Sequence, residues 1–233
     1  MNITSQPISS ISDFQEGKVL LIDKPLTWTS FDVVNKIRYQ IKHLKGIKKI
    51  KVGHAGTLDP LATGLLIVCT GKYTKRIHEI QNAEKEYTGT FVLGATRPSY
   101  DKETPIDEEF PIDNITDKDI IKAAKNLTGS IQQIPPIYSA QRINGVRAYK
   151  KARKNQPIQM EAKQVTISEF EITSIDLPTV SFRVVCSKGT YIRSLVHDLG
   201  KGVNNGSFLA SLCRTRIGDF KLKDGLSLEE FLK

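Results

Sequence analysis

Residues 53–64 read Gly-His-Ala-Gly-Thr-Leu-Asp-Pro-Leu-Ala-Thr-Gly, which places one carboxylate, Asp59, among small, turn-forming and apolar residues. So little side-chain bulk would let a large planar substrate approach the backbone closely. The nearest basic residues along the chain are Lys51 and Lys72, so Asp59 needs a more distant partner or has a perturbed pKa. The stretch therefore has two interpretations. Asp59 is either an acid held for chemistry or an N-cap followed by proline at the first helical position.

The length and composition of the chain favour a globular protein. Its 233 residues are 39% apolar, which is enough for a sizeable core. No apolar run approaches the roughly 20 residues of a membrane span, and residues 65–69 have the length of a buried strand or short helix. Residues 1–17 lack the basic start and apolar core of a secretory signal. We predict a loose N-terminal extension over 1–17, one domain over 18–233 and no membrane association.

The cysteines and histidines argue against disulfides and metal ions. The three cysteines, Cys69, Cys186 and Cys213, are odd in number and never form a C-x-x-C pair. They are expected to be reduced, which indicates a cytoplasmic protein. The four histidines show no metal-ligand spacing, so no metal site is predicted.

Positive charge is segregated along the chain, whose formal net charge is +9. Residues 33–58 contain seven Lys or Arg and no acid, and a second basic cluster runs from Gln141 to Lys163. Such segregation favours a polyanionic partner, usually a nucleic acid. The alternative is a basic surface that is merely solvated.

Strand and helix patterns alternate without a regular β-α-β period, which predicts the α+β class. A helix should follow a cap at Thr29 or Ser30, a second should follow a capping box at Thr116, and a third should follow Thr190. The strand predictions cover residues 18–23, 85–94, 165–175 and 180–186. The stretch 133–164 has weak periodicity and reads as a long basic loop, which in a compact domain is functional or disordered.

Four separated groups offer the parts needed to extrude a base, stack it and attack it. They are residues 53–64 with Asp59, 85–87 with Tyr87, 135–140, and 187–193 with Arg193. An Asp carboxylate can act as a nucleophile, and an arginine beside it would keep it ionised. The alternatives are that Arg193 lies on a helix surface and that Tyr87 is a core residue.

These groups resemble the motifs of the TruB family of tRNA pseudouridine synthases. The stretch 53–64 is similar to the family's catalytic motif almost letter for letter. Leu-Ile-Asp-Lys-Pro at 21–25, Lys-Glu-Tyr at 85–87, the segment 136–153, Gly-Thr-Tyr-Ile-Arg-Ser-Leu at 189–195 and Leu-Cys-Arg-Thr at 212–215 resemble its other motifs in order. The resemblance covers about residues 18–220.

The resemblance implies a pseudouridine synthase fold, with a central mixed, mostly antiparallel sheet flanked by helices and a protruding thumb loop over about 137–163. It implies an isomerase, an intramolecular transferase, that converts uridine 55 in the T loop of tRNA without a cofactor. Asp59 would be the catalytic carboxylate, acting at C1′ of the sugar or C6 of the base. Substrate-binding roles fall on Lys24, His54, Tyr87, Tyr191, Arg193 and Leu212, with Arg193 pairing with Asp59. The RNA-binding charges of the thumb would be Arg142, Arg147, Lys150, Lys151 and Arg153.

Two departures from the family pattern carry expectations of their own. The family commonly continues into a C-terminal RNA-binding, PUA-like domain, which we expect to be absent because the sequence ends at Lys233. Asp101 stands where the family more often has Thr-x-Thr-x-Asp, and no role is assigned to it.

Two other functions stay open from the sequence. The first is a non-catalytic tRNA-binding or tRNA-folding protein, in which Asp59 only caps a helix. The second is a synthase that depends on a guide RNA, which the expected absence of the C-terminal domain disfavours. We predict a monomer that needs no guide RNA.

Overall fold

The computed structural model describes residues 11–45, 49–143, 145–154 and 156–232. The helices are α1 (Ile11–Glu16), α2 (Ser30–Lys45), α3 (Ile77–Asn82), α4 (Asp117–Asn126), α5 (Ala148–Ala152), α6 (Ile192–Gly202) and α7 (Leu228–Leu232), with 3-10 turns at Gly71–Arg76 and Leu222–Asp224. The strands are β1 (Val19–Lys24), β2 (Val52–His54), β3 (Ala62–Thr70), β4 (Lys85–Leu93), β5 (Ala95–Thr96), β6 (Glu108–Glu109), β7 (Gly129–Gln133), β8 (Arg142–Ile143), β9 (Val146–Arg147), β10 (Lys163–Asp176), β11 (Thr179–Cys186), β12 (Ser207–Ile217), β13 (Phe220–Lys221) and β14 (Leu226–Ser227).

The chain forms two compact units, whereas the sequence predicted one domain over 18–233. The first unit comprises residues up to Tyr87 and from Leu212 onward, and the second comprises Thr88–Ser211. Strands β4 and β12 each run from one unit into the other. The strand order is β14-β1-β3-β12-β4 in the first unit and β12-β4-β11-β10-β7 in the second. Parallel pairs (β1 with β14, β3 with β12) accompany antiparallel ones, so the predicted α+β class with a mixed sheet is confirmed.

Both faces of the sheet in the first unit are buried, because β1 and β3 direct alternate side chains to opposite sides. Leu20, Ile22, Leu66 and Val68 pack in one cluster with the apolar face of α2. Residues 19, 21, 65, 67 and 69 pack in a second cluster that includes Ile80 of α3. Strands buried on both faces read as continuous apolar runs, which is why residues 65–69 carried no alternation.

The N-terminal prediction is corrected for residues 11–16. They form helix α1, and Phe14 is only 1% exposed within the first cluster. An apolar anchor of this kind holds the segment against the core, so it is not a loose extension. Residues 1–10 of that prediction lie outside the described residues.

The second unit is built from long antiparallel strands covered by helices. Strand β10 pairs with β11 on one side and with β7 on the other. Helix α4 packs on β10, and Ile120 and Ala124 are buried there. Thr116 and Asp119 form the predicted capping box. The helix ends at Asn126, and Gly129 begins β7.

The cap of α6 differs from the prediction. Its N-cap is Tyr191, which makes no side-chain cap bond, and the helix ends at Gly202. The Thr190 hydroxyl instead donates to Ser187 O at 2.9 Å, so it closes the preceding turn.

Candidate active site

The Asp59 loop, residues 55–61, connects two strands of the first unit. Ala55 N donates to Ile67 O at 2.9 Å, and Ala62 N donates to Asp59 O at 3.0 Å where β3 begins. The interpretation of Asp59 as a helix N-cap is therefore wrong, because the residues after Pro60 form a strand. That strand is specified by distant partners, since it pairs with β1 and β12. Asp59 itself is half-buried, while the neighbouring Leu58 is 3% exposed.

Ser30 binds both backbone groups of Leu58. Its Oγ accepts from Leu58 N at 2.8 Å and donates to Leu58 O at 3.1 Å. Close by in sequence, Thr27 N donates to Pro60 O at 2.8 Å, with Thr27 in the left-handed region at φ 70°. These bonds hold both sides of Asp59 to the segment that leads into α2, so the position of the carboxylate is set by backbone anchors.

Lys24 is a buried cation beside the same loop. Its side chain is 0% exposed, and Nζ donates to Trp28 O at 2.7 Å, Pro25 O at 2.8 Å and Pro60 O at 3.5 Å. Burial lowers the pKa of Lys24 to about 8, although the nearby carboxylates of Asp59 and Asp23 oppose that shift. Lys24 therefore supplies positive potential near Asp59 at neutral pH and loses it at mildly alkaline pH.

Arg214 is a second buried cation in this unit, and the sequence reasoning missed it. It is 1% exposed, its Nε donates to Leu65 O at 2.8 Å, and Nη2 donates to Gly56 O at 3.0 Å. It therefore ties the start of the Asp59 loop to β3. The available signal was its place inside the motif at 212–215, where only Leu212 was given a role.

Gly64 is required beside Arg214. Its φ is +97°, and an added Cβ would lie 2.5 Å from Arg214 O and 2.7 Å from Arg214 N. Gly64 N also donates to Asp23 Oδ1 at 3.1 Å. The last glycine of the 53–64 motif thus lets the backbones of β3 and β12 approach closely next to the loop.

The other predicted residues of the first unit have mixed exposure. Tyr87 on β4 is 8% exposed, which agrees with the core alternative, and its stacking on uracil stays a prediction. Leu212 is half-buried and lies in register with Ala62 on β3. His54 is half-buried at the end of β2, and its pKa is lowered mainly by burial, to which the charge of Arg214 adds. A neutral imidazole is therefore favoured there.

Arg193 lies in the second unit, at the start of α6, and is 4% exposed. The alternative of a surface arginine is therefore wrong. Nη1 lies 3.4 Å from Asp101 Oδ2 and donates to Ser99 O at 3.2 Å, while Nη2 donates to Tyr138 O at 3.0 Å. The two backbone bonds and the ion pair fix the plane of the guanidinium. Pairing of Arg193 with Asp59 joins residues of different units and stays a prediction.

Asp101 is the second residue to which the sequence reasoning gave no role. It is 5% exposed, forms the ion pair with Arg193, and accepts from Glu103 N at 2.9 Å. Its backbone bridges to Leu209, which fixes its position. Asp101 therefore orients Arg193 within the second unit.

Tyr191 is held next to Arg193 by a buried amide. Gln133 Oε1 accepts from Tyr191 N at 2.8 Å, and Gln133 Nε2 donates to Tyr191 O at 3.1 Å. Gln133 is 1% exposed at the end of β7. Both backbone groups of Tyr191 are therefore held by Gln133, which fixes the point from which the half-buried ring extends.

The thumb segment, residues 137–163, contains local structure where a loop was predicted. Strands β8 and β9 form a two-stranded hairpin, and α5 follows directly. Strands of two residues are too short to show alternation, so no strand was predicted there. Of the predicted RNA-binding charges, Lys151 is half-buried and the others are exposed: Arg142, Arg147, Lys150 and Arg153. Arg153 pairs with Glu103 at 2.7 Å.

The described residues contain neither a metal-binding cluster nor a membrane-spanning helix. No group of three or more His, Cys, Asp or Glu side chains is arranged to hold a metal ion. Among those residues, no helix has both the length and the apolar character that a membrane crossing requires.

The chain is similar to known pseudouridine synthases in sequence. Residues 42–192 match the family model described as TruB family pseudouridylate synthase, N terminal domain. A Flavobacterium johnsoniae protein named tRNA pseudouridine synthase B is 56% identical over 94% of this chain and 96% of its own length. Proteins of the same name from Phocaeicola vulgatus and Bacteroides fragilis are 54% and 52% identical, each over 94% of this chain and over 93% and 94% of their own lengths.

Solved structures show the same fold in longer chains. A crystal structure of a Cbf5-Nop10-Gar1 complex contains a similar chain with a TM-score of 0.71 and 27% identity over 99% of this chain. A structure of an H/ACA RNP bound to a substrate RNA containing 2′-deoxyuridine gives a TM-score of 0.66 and 28% identity over 94% of this chain. The chain spans 60% and 53% of those two chains.

Proposed function

Because this chain belongs to the TruB family of pseudouridylate synthases, we propose that it is a tRNA pseudouridine synthase that isomerises uridine 55 in the T loop. In this reaction the bond from C1′ to N1 breaks and a bond from C1′ to C5 forms. The C5 proton leaves to solvent and N1 gains a proton, so atoms balance without a cofactor.

The observation that carries the proposal is the half-buried Asp59 on a loop anchored by Ser30, Lys24 and Arg214. A carboxylate held in place by buried backbone bonds suits attack at one fixed point, either C1′ or C6. The positive potential of Lys24 would favour the ionised, reactive form of Asp59.

The second unit would supply the rest of the chemistry. The oriented guanidinium of Arg193 would pair with Asp59, and the ring of Tyr191 would line the uracil pocket and assist removal of the C5 proton. Exposed thumb charges would hold the RNA backbone. Ordering of the thumb on RNA binding is part of the proposal.

The proposal also covers the location, the oligomeric state and the guide-RNA requirement of the enzyme. We propose a cytoplasmic monomer that acts on the T-stem-loop without a guide RNA, although the similar solved chains come from assemblies named Cbf5-Nop10-Gar1 and H/ACA RNP. Turnover by the purified chain on RNA without any guide would establish independence from one. A mass measurement in solution would establish the oligomeric state.

The deciding experiment measures tritium release from RNA labelled at C5 of uridine 55. Wild type should release the label, and Asp59→Asn should lower the rate by at least about 10³-fold. The matched control is Asp219→Asn, which changes an exposed carboxylate of the same unit and should keep the wild-type rate. Near-normal turnover by Asp59→Asn would overturn the assignment. Tight tRNA binding by wild type with no label release would instead favour the non-catalytic tRNA-binding or tRNA-folding alternative.

A further inference from the structure

The exposed face of α2 carries residues that the site at Asp59 does not use. At 100° per residue, Phe31, Asn35, Arg38, Tyr39 and Lys42 fall within one arc of about 100°. Lys36 and His43 border that arc, and the apolar residues of the helix face the core. We call these seven residues the α2 stripe.

The charge of the α2 stripe is one-sided. Lys36, Arg38 and Lys42 are basic, and no acid occurs from Val33 to Leu58. One acid, Asp32, lies on the same face between Tyr39 and His43. Its carboxylate accepts from the backbone N and the hydroxyl of Thr29 at 3.0 and 2.6 Å, so it serves the helix cap. A polyanion is the partner that this charge pattern complements.

Aromatic side chains interleave with these charges. Phe31 and Tyr39 are 62% and 56% exposed. The rings of Tyr39 and His43 have centroids 3.9 Å apart with planes at 34°, which holds the Tyr39 ring against its helix neighbour. A merely solvated basic helix face needs no exposed aromatic rings, whereas a surface that binds nucleic acid uses them to stack bases.

The start of the α2 stripe is tied to the Asp59 loop. Ser30, the first residue of α2, makes both hydrogen bonds to Leu58. From there the helix leads away, and His43 lies about 20 Å further along its axis at 1.5 Å per residue. An RNA bound at Asp59 would therefore find a basic, aromatic track that begins at the catalytic loop.

We propose that the α2 stripe is a second RNA-binding surface, on which Lys36, Arg38 and Lys42 contact phosphates and Tyr39 stacks a base. The proposal rests on the proposed function, because the RNA is the tRNA whose uridine reaches Asp59. It adds a contact surface distinct from the thumb segment. Arg38 has structural bonds to Asn35 Oδ1 at 2.7 Å and Val52 O at 3.1 Å, so it is left intact in the test.

The test measures equilibrium binding of unmodified full-length tRNA over a range of salt concentrations. The double variant Lys36→Ala/Lys42→Ala should weaken binding and lower the slope of log affinity against log salt by about 1.4 to 1.8, since two phosphate contacts are lost. The matched control, Lys118→Ala/Lys125→Ala, removes the same charge from exposed positions of α4 and should change the slope far less. Equal slope changes in the two variants would overturn the phosphate contacts.

Stacking is tested separately at Tyr39. Tyr39→Ala should weaken tRNA binding by about fivefold or more, whereas Tyr39→Phe, which keeps the ring, should bind within about twofold of wild type. Wild-type affinity in Tyr39→Ala would overturn the stacking. These experiments measure binding alone and do not depend on turnover. If wild type released no C5 label, the proposed function would be wrong, but the binding data would still test the α2 stripe.

Discussion

Buried side chains bind the Asp59 loop to its unit, whereas exposed charges dominate the thumb segment. Ser30, Lys24 and Arg214 are each at most 2% exposed and bond to backbone atoms of residues 56, 58 and 60. In the described part of the thumb, Tyr149 N donates to Ser139 O and Ala148 N donates to Gln141 O, while most of the charged side chains lie in solvent. The carboxylate of Asp59 is therefore held in place by several buried bonds, while the thumb keeps its charges available for a partner.

The glycines of the two regions give the largest expected contrast. Gly64 and Gly145 both have positive φ, +97° and +79°, but an added Cβ meets the Arg214 backbone in the first case and no atom within 4 Å in the second. Gly64→Ala should lower the free energy of unfolding by about 4 kcal/mol, because steric overlap adds to backbone strain. Gly145→Ala should cost about 1 kcal/mol, from strain alone. Urea denaturation of both variants measures the two values, and similar losses would remove the contrast.

Arginine side chains give the next contrast. Arg214→Met should lower the free energy of unfolding by about 3 kcal/mol, because the buried carbonyls of Leu65 and Gly56 lose their donor. Arg153→Met should cost less than about 0.5 kcal/mol, since its partner Glu103 is solvated and the arginine side chain is 62% exposed. Thermal and urea unfolding of the two variants provide the measurement. A loss at Arg153 as large as that at Arg214 would show that the thumb is held as firmly as the loop.

The pH dependence of Lys24 is a smaller effect with a defined sign. Its folded-state pKa of about 8 lies below the ordinary lysine pKa of 10.5, so above pH 8 the folded state binds fewer protons than the unfolded state. The contribution of Lys24 to the free energy of unfolding should therefore rise with pH, by about 1 kcal/mol between pH 7 and pH 9. Unfolding curves of wild type and Lys24→Met should diverge over that range in favour of wild type. Parallel curves would mean that Lys24 is not desolvated.

The sequence predicted the locally coded features of the fold and missed those that depend on distant partners. The capping box at Thr116–Asp119 formed as expected, and Thr29, one of the two predicted cap residues, caps α2 with Asp32. Each cap needs only four consecutive residues. Asp59-Pro60 looked like a helix start, yet β3 follows, because pairing with β1 and β12 overrides local propensity.

In the candidate site, too, local motifs were predictable and the partners that hold them were not. The motifs identified Asp59, Tyr191 and Arg193 as candidates, and the burial of Arg193 became visible only in the structure. Arg214 and Asp101 were passed over because an isolated charged residue reads as surface until a fold buries it beside its partners. The orienting role of Asp101 depends on a residue 92 positions away in the sequence, which no local pattern encodes.

Single-turnover label release separates the role of the Asp59 loop in chemistry from the role of the thumb segment in binding. Ser30→Ala removes both bonds to Leu58, and Lys150→Ala/Lys151→Ala removes two thumb charges. At saturating tRNA, Ser30→Ala should lower the rate about tenfold or more with little change in half-saturation, because only the placement of Asp59 suffers. The thumb variant should keep the saturated rate and raise the tRNA concentration at half-saturation. A full saturated rate in Ser30→Ala, with the loss confined to binding, would show that the bonds from Ser30 do not place Asp59 for the reaction.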